Sequence, residues 1–85
     1  MQTIIDSKWL IFIKVAELGS LSKAANAFNV PQSMISRHIA QLEEQCNARL
    51  FKRTGRGVVL TELGMQLLPR IQGLSADAAI LEDDI

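Results

Sequence analysis

One run of twenty residues, SLSKAANAFNVPQSMISRHI at positions 20–39, constrains the fold of this chain more than any other segment. A first short helix is predicted by three apolar residues at helical spacing: Ala24, Ala25 and Phe28. Ser20 or Ser22 can cap its start, because a serine oxygen accepts the first free backbone amides. Pro31 cannot continue this helix but suits the first turn of another. The run therefore predicts two helices joined by a tight turn.

The second helix of this run has two distinct faces. Its buried stripe recurs at intervals of four, three and four residues: Ile35, Ile39, Leu42 and Cys46. At 100° per residue, the opposite face consists of Ser33, Arg37, Ala40, Gln41 and Glu44, with Ser36 at its border and Glu43 beside Glu44. This polar, cationic face with small N-terminal side chains suits a helix that enters the DNA major groove while the preceding helix braces it. The alternative is a solvated surface that binds nothing.

Composition bounds the class of protein. Eighty-five residues with 48% apolar side chains predict one small helical domain. The single cysteine, Cys46, excludes an intrachain disulfide and a cysteine-based metal site, and we expect it in the core. The sequence contains neither an apolar run of transmembrane length nor a signal-peptide pattern. We therefore expect the protein to be located in the reducing cytoplasm.

The net charge of zero hides a strong asymmetry along the chain. Residues 1–60 carry eight Lys and Arg against four Asp and Glu, a net charge of +4. Residues 61–85 carry one Arg against five acids, a net charge of −4. Because nucleic acid attracts cations, the first segment is where DNA would bind.

A short hairpin is predicted directly after the second helix. Residues 50–53 and 58–60 are strand candidates that flank Thr54-Gly55-Arg56-Gly57, and both glycines are expected to supply positive φ values. Arg53, Thr54 and Arg56 could reach phosphates, and Arg56 could enter the minor groove. A phosphate-cradling loop is the alternative, but the G-x-x-x-x-G-K-[ST] spacing is absent.

The acidic segment shows a heptad pattern. Its seam is Leu67, Ile71, Leu74, Ala78, Leu81 and Ile85, extended upstream by Leu60 and Gly64. Thr61 can cap a helix here, with Glu62 in the first turn, and Pro69 should kink it. A domain of this size cannot bury the whole seam, so we expect it to meet a second copy. The alternative is a frayed amphipathic tail.

Taken in order, three segments resemble the DNA-binding domain of LysR-type bacterial transcriptional regulators: FIKVAELGSLSKAANAF, SRHIAQLEE and LFKRTGRGVVLTELG. The resemblance covers roughly residues 5–70. It implies a winged helix-turn-helix that binds DNA as a homodimer through a linker helix. It also implies a C-terminal effector-sensing domain that these 85 residues do not include, so we expect them to be part of a longer regulator.

Matched position by position, the resemblance implies that Gln32, Ser33 and Arg37 read bases. It implies that Ser36 and Arg53 contact the DNA backbone. The other residues expected to contact the backbone are Thr54 and Arg56 in the wing and Ser22 at the start of the first helix. Three positions depart from the family pattern: Pro31, Asn47 and Trp9. Pro31 replaces a common capping residue, so either the helix starts at Pro31 or Ser33 caps it. Asn47 replaces a frequent glycine and tolerates the left-handed conformation expected there. Trp9 replaces a leucine, and we expect it in the core with Phe12, Ile13 and Ala16.

The predicted fold is mainly α: a winged helix-turn-helix with a three-helix core and a β-hairpin wing (residues 1–60), followed by a linker helix for dimerisation (residues 61–85). The predicted function is sequence-specific binding of double-stranded DNA, with no cofactor. A winged-helix module for protein interaction is the main alternative. An enzyme is disfavoured, because the only histidine, His38, has no carboxylate or cysteine partner in sequence and no nucleophile or cofactor motif is present.

Overall fold

The computed structural model describes the backbone of residues 7–84 and the side chains of residues 8–73. Its elements follow in the order α1 (Ser7–Leu18), α2 (Leu21–Phe28), α3 (Gln32–Cys46), β1 (Phe51–Thr54), β2 (Gly57–Leu60) and α4 (Glu62–Asp84). Three helices, a hairpin and a long final helix are the elements of the predicted winged helix-turn-helix. The predicted fold class is confirmed.

Local capping signals set the ends of the two central helices. Ser20, not Ser22, caps α2: its hydroxyl accepts the backbone N–H of Lys23 at 3.1 Å. The helix ends at Asn29, which adopts the left-handed conformation with φ 58°. Asn47 ends α3 in the same way with φ 54°, as predicted for that position.

Pro31 precedes α3 without belonging to it. Its φ of −65° and ψ of 145° are extended, and α3 begins at the next residue, Gln32. Ser33 lies inside the first turn and does not cap the helix, so neither alternative derived from the sequence is correct. A proline is stable in this place because it has no N–H to leave unpaired.

The hydrophobic core lies between the first three helices and the hairpin. Its largest fully buried side chains are Phe12, Val15, Ile35, Leu42 and Leu50. The Phe12 ring packs edge-to-face on Trp9, with centroids 5.5 Å apart, and lies 5.4 Å from the ring of Phe51. Phe12 therefore connects α1 to the wing, and Trp9 packs at the edge of the core together with Ile13 and Ala16.

The inner face of α2 does not include Phe28. Although Phe28 lies at helical spacing from Ala24, its side chain is 40% exposed. The buried face of α2 consists instead of Leu21, Ala24 and Ala25. Leu21 completes the inner stripe one turn earlier, whereas Phe28 is the last residue of the helix, where the chain turns away at Asn29.

The wing is tighter than the sequence suggested. β1 pairs antiparallel with β2, from Phe51 opposite Leu60 to Thr54 opposite Gly57, so that each strand extends one residue further toward the turn. Of the two turn glycines, only Gly57 has a positive φ (147°), so that prediction is wrong for Gly55. The Thr54 hydroxyl accepts the Arg56 N–H at 3.2 Å and thereby closes a turn that does not require a positive φ at Gly55.

Helix α4 begins as predicted. The Thr61 hydroxyl accepts the backbone N–H of Gly64 at 3.2 Å, and Glu62 lies in the first turn. The helix continues through Pro69, and the seam residues Leu67 and Ile71 are half-buried. The other predicted seam residues, Leu74, Ala78, Leu81 and Ile85, lie outside the residues whose side chains are described. Within the described residues, no helix combines the length and apolarity needed to cross a bilayer.

Candidate nucleic-acid interface

The outer face of α3 is exposed, as its periodicity predicted. Gln32, Ser33 and Arg37 are all exposed, while Ile35 and Ile39 are buried on the opposite side. No carboxylate among the described residues pairs with Arg37. Its guanidinium thus keeps its donors available for a ligand with paired acceptors.

The first turn of α3 also leaves backbone donors free. Pro31 has no N–H, and no side chain caps the helix, so the amides of Gln32 and Ser33 have no intramolecular acceptor. Free first-turn amides carry the positive end of the helix dipole. The same turn that presents Gln32 and Ser33 side chains therefore suits an anion.

A depression separates α3 from the wing. Its polar lining comes from Ser36, Glu43, Arg49 and Arg53, and its apolar lining includes Ala40 and Val58. Arg53 pairs with Val58 across the hairpin and lies on the same face, which is the buried face of the sheet. Lys52, one residue earlier, lies on the opposite face of the hairpin. The wing therefore turns Arg53, and not Lys52, toward α3.

A second depression adjoins the first along α3, lined among others by Arg37, Ala40 and Arg49. Both depressions share Ala40, Glu43 and Arg49, so together they form one concave surface around Ala40 that three arginines border: Arg37, Arg49 and Arg53. Sequence reasoning missed Arg49, whose only signal was its place in the basic segment. Its side chain is 73% exposed and its Nε lies 3.4 Å from Oε1 of Glu43.

The other predicted contact residues lie around this surface rather than in it. Gln32, Ser33 and Ser22 are exposed but line neither depression, and Arg56 is exposed at the turn of the wing. The Thr54 hydroxyl is 3.3 Å from the carbonyl of Gly57 and donates to it, so its proton is used within the hairpin. The DNA roles assigned to all these residues stay predictions.

Glu43 differs from its predicted position on the outward face of α3. Its side chain is only 15% exposed and turns toward the wing, where Oε2 accepts the N–H of Leu50 at 2.8 Å and of Phe51 at 3.3 Å. The part-buried amides of Leu50 and Phe51 hold the carboxylate in this position, because hydrogen bonds to a charged acceptor are strong. Its neighbour Glu44 remains exposed, so one carboxylate and not two marks that end of the face.

His38 and Cys46 are both half-buried on α3. Nδ1 of His38 is buried without a hydrogen-bond partner. Among the described residues, no three His, Cys, Asp or Glu side chains lie close enough together to hold a metal ion.

Comparison with known proteins decides the family. Residues 7–65, well over half of the chain, match the model of the bacterial regulatory helix-turn-helix proteins of the lysR family. This chain belongs to the lysR family. The LysR-family domain is accordingly a helix-turn-helix domain of transcriptional regulators, and the winged fold described above is the fold of that family.

One curated relative is the uncharacterized HTH-type transcriptional regulator in the ibpB-leuC intergenic region of Azotobacter vinelandii. It is 47% identical over 72 residues, which are 85% of this chain and 48% of the relative. The LysR-family domain spans less than half the length of that relative and of the other curated regulators compared with it.

Two solved structures of similar domains contain DNA. The CbnR_DBD-DNA complex matches with a TM-score of 0.83 and 30% identity, over 99% of this chain and 93% of that one. The complex of BenM_DBD with benA site 1 DNA matches with a TM-score of 0.84 and 26% identity, over 98% and 90% of the two chains.

Proposed function

We propose that this LysR-family domain binds double-stranded DNA in a sequence-specific manner. Helix α3 enters the major groove, and the wing contacts the adjacent backbone and minor groove. Gln32, Ser33 and Arg37 read bases, because Gln pairs bidentately with adenine and Arg with guanine. The backbone is contacted by Ser22, Ser36, Arg53, Thr54 and Arg56. For Thr54 this role is indirect, since its hydroxyl holds the turn that presents Arg56.

The observation that carries the proposal is the arrangement of three arginines around Ala40. Arg37 is exposed on α3, and Arg49 and Arg53 border the same concave surface from the loop and the wing. A small residue between cations allows a helix to approach the floor of a groove, so that Arg37 reaches base edges while Arg49 and Arg53 reach the phosphate walls. Both similar domains solved with DNA have this fold, which supports the same ligand here.

We further propose that the domain acts as a homodimer through residues 61–85 on an operator with two-fold symmetry, in the cytoplasm. The heptad spacing of α4 and its half-buried Leu67 and Ile71 support this, because an apolar seam beside a small core favours a second copy. A small-molecule effector would act only through a further domain of the longer regulator.

Selection from a random duplex pool near 0.15 M salt, followed by sequencing, tests the DNA function. Enrichment of an interrupted palindrome is expected for a sequence-reading dimer. If each protomer neutralises three or four phosphates, log K should fall with log [salt] at a slope of about −5 to −7. A slope near zero with no enrichment would refute DNA binding and favour a protein-interaction module built on the α4 seam.

Leu74→Asp tests the dimer. A charge in the middle of the seam should shift the domain toward monomer and weaken binding to a two-fold site far more than to a half-site. Sedimentation equilibrium gives the mass directly, and an unchanged dimer mass would contradict the proposed interface. Arg70→Asp, a charge change at an exposed position of the same helix, is the matched control.

A further inference from the structure

We propose that Glu43 is a positioning residue for DNA binding: its carboxylate fixes the wing at the position where Arg53 and α3 contact the same duplex. The inference rests on the DNA-binding function proposed above. It concerns a residue that approaches no base and carries the wrong charge for a phosphate.

Both oxygens of the Glu43 carboxylate have partners at the start of the wing. Oε2 accepts the N–H groups of Leu50 and Phe51 at 2.8 and 3.3 Å, and Oε1 lies 3.4 Å from Nε of Arg49. The carboxylate is 15% exposed, whereas the Arg49 side chain is 73% exposed. The two amide contacts therefore dominate, because an ion pair with a solvated guanidinium contributes little.

The segment that Glu43 holds determines where the wing lies. Phe51 is the first residue of β1, and Arg53 follows two residues later on the same face of the strand. The carbonyl groups of this segment are held from the other side, since Thr61 donates its hydroxyl to Arg49 O at 2.7 Å and its N–H to Leu50 O at 2.9 Å. The Glu43 side chain thus connects the start of β1 to α3 by hydrogen bonds, and Thr61 connects the same segment to the start of α4.

If only charge repulsion mattered, removing the Glu43 carboxylate would strengthen DNA binding rather than weaken it. A negative charge on the DNA side of a protein repels phosphate, so neutralising Glu43 or Glu44 should strengthen binding by a similar amount. Glu44 is exposed and makes no described side-chain hydrogen bond or ion pair. If Glu43 positions the wing, its neutralisation should weaken binding instead, and the two adjacent glutamates should differ in the sign of their effect.

The experiment compares Glu43→Gln with Glu44→Gln in the same 85-residue domain, on an operator obtained from the selection. We expect Glu43→Gln to weaken binding by about tenfold per protomer, the effect of losing about one charge-assisted contact, so that the Kd of a dimer on its two-fold operator rises by about a hundredfold. The salt slope of a dimer should become shallower by about 2, one phosphate for each protomer. Hydroxyl-radical footprinting should show lost protection where the wing lies and unchanged protection beside α3. Glu44→Gln should leave both footprints intact and Kd equal or lower.

A loss of folded protein alone would lower the active fraction but would not shift the footprint or the salt slope. Glu43→Asp is the second variant: it keeps the charge but shortens the side chain by one methylene, so that it cannot reach both amides. Glu43→Asp replaces Glu43→Gln in the experiment if the latter fails to fold. A wild-type footprint of the wing with Glu43→Asp would overturn the proposal. Equal Kd values for Glu43→Gln and Glu44→Gln would also overturn it, with DNA binding by the wild type intact. A wild-type domain that binds no duplex would refute the proposed function itself, and the positioning role with it.

Discussion

The contact between the wing and the loop before α2 makes Gly57 a position that only glycine can occupy. Its φ is 147°, and a Cβ built there would lie 2.2 Å from the carbonyl oxygen of Gly19. That carbonyl also accepts the N–H of Val58 at 3.1 Å. An alanine at position 57 must therefore strain its own backbone, and its Cβ must also push the wing away from Gly19 and break this hydrogen bond.

The size of the effect follows from these two terms. A residue held in an unfavourable backbone region costs about 1–3 kcal/mol, and loss of a backbone hydrogen bond costs about 1 kcal/mol. We expect Gly57→Ala to lower the free energy of unfolding by about 2–4 kcal/mol, a large share of the roughly 4–13 kcal/mol typical of a domain of this length. The midpoint of thermal unfolding should fall by roughly 10 °C or more.

Urea unfolding followed by far-ultraviolet circular dichroism, at one fixed protein concentration, measures this difference. Gly55→Ala is the matched control, because Gly55 has no atom within 4 Å of a built Cβ and no positive φ. It should be neutral, or more stable by about 0.4–1 kcal/mol because the unfolded chain loses freedom. Equal urea midpoints for the two variants would refute the reasoning from the contact between Gly57 and Gly19.

Two further predictions concern the proposed contacts with DNA. Arg37→Ala should reduce the sequence preference more than it weakens non-specific binding, since a good bidentate pair contributes about 1–3 kcal/mol of discrimination. Repeating the selection with the variant measures this preference. An unchanged consensus would show that Arg37 does not read bases. Arg53→Ala should make the salt slope of a dimer shallower by about 2, whereas Lys52→Ala, on the outer face of the same strand, should change it less. Titration of the operator at several salt concentrations compares the two, and equal losses would contradict the proposed orientation of the wing.

The sequence predicted those parts of the fold that short-range signals determine. Ser20, Asn47 and Thr61 are capping residues whose partners lie within four positions along the chain, and each was found in its expected role. The faces of α3 were also predictable, because periodicity alone separates Ile35 from Arg37. The exposure of Arg37 and the helix that carries it thus followed from local pattern.

Contacts between residues distant in sequence were not predictable in this way. Glu43 bonds amides seven and eight positions later, and nothing in the spacing of α3 distinguishes it from Glu44. The requirement for glycine at position 57 comes from Gly19, 38 positions earlier and in another loop. Arg49 likewise acquires its place beside Ala40 only when the chain after α3 folds back. Such features depend on how the helices and strands pack against one another, and the periodicity of a single sequence does not reveal that packing.

Helix α4 continues for several turns after the described side chains that pack against the core. Its 23 residues are about 35 Å long at 1.5 Å per residue, whereas Leu63, Leu67 and Leu68 in its first two turns pack against the core and Thr61 bonds the base of the wing. A rotation of α4 by about 10° about Thr61 would therefore move the far end of the helix by roughly 6 Å. The atoms next to Thr61 would move by only a fraction of an ångström. In the proposed homodimer, such a rotation would change the separation of the two domains on DNA by several ångströms without disturbing the groove-facing surface of either one.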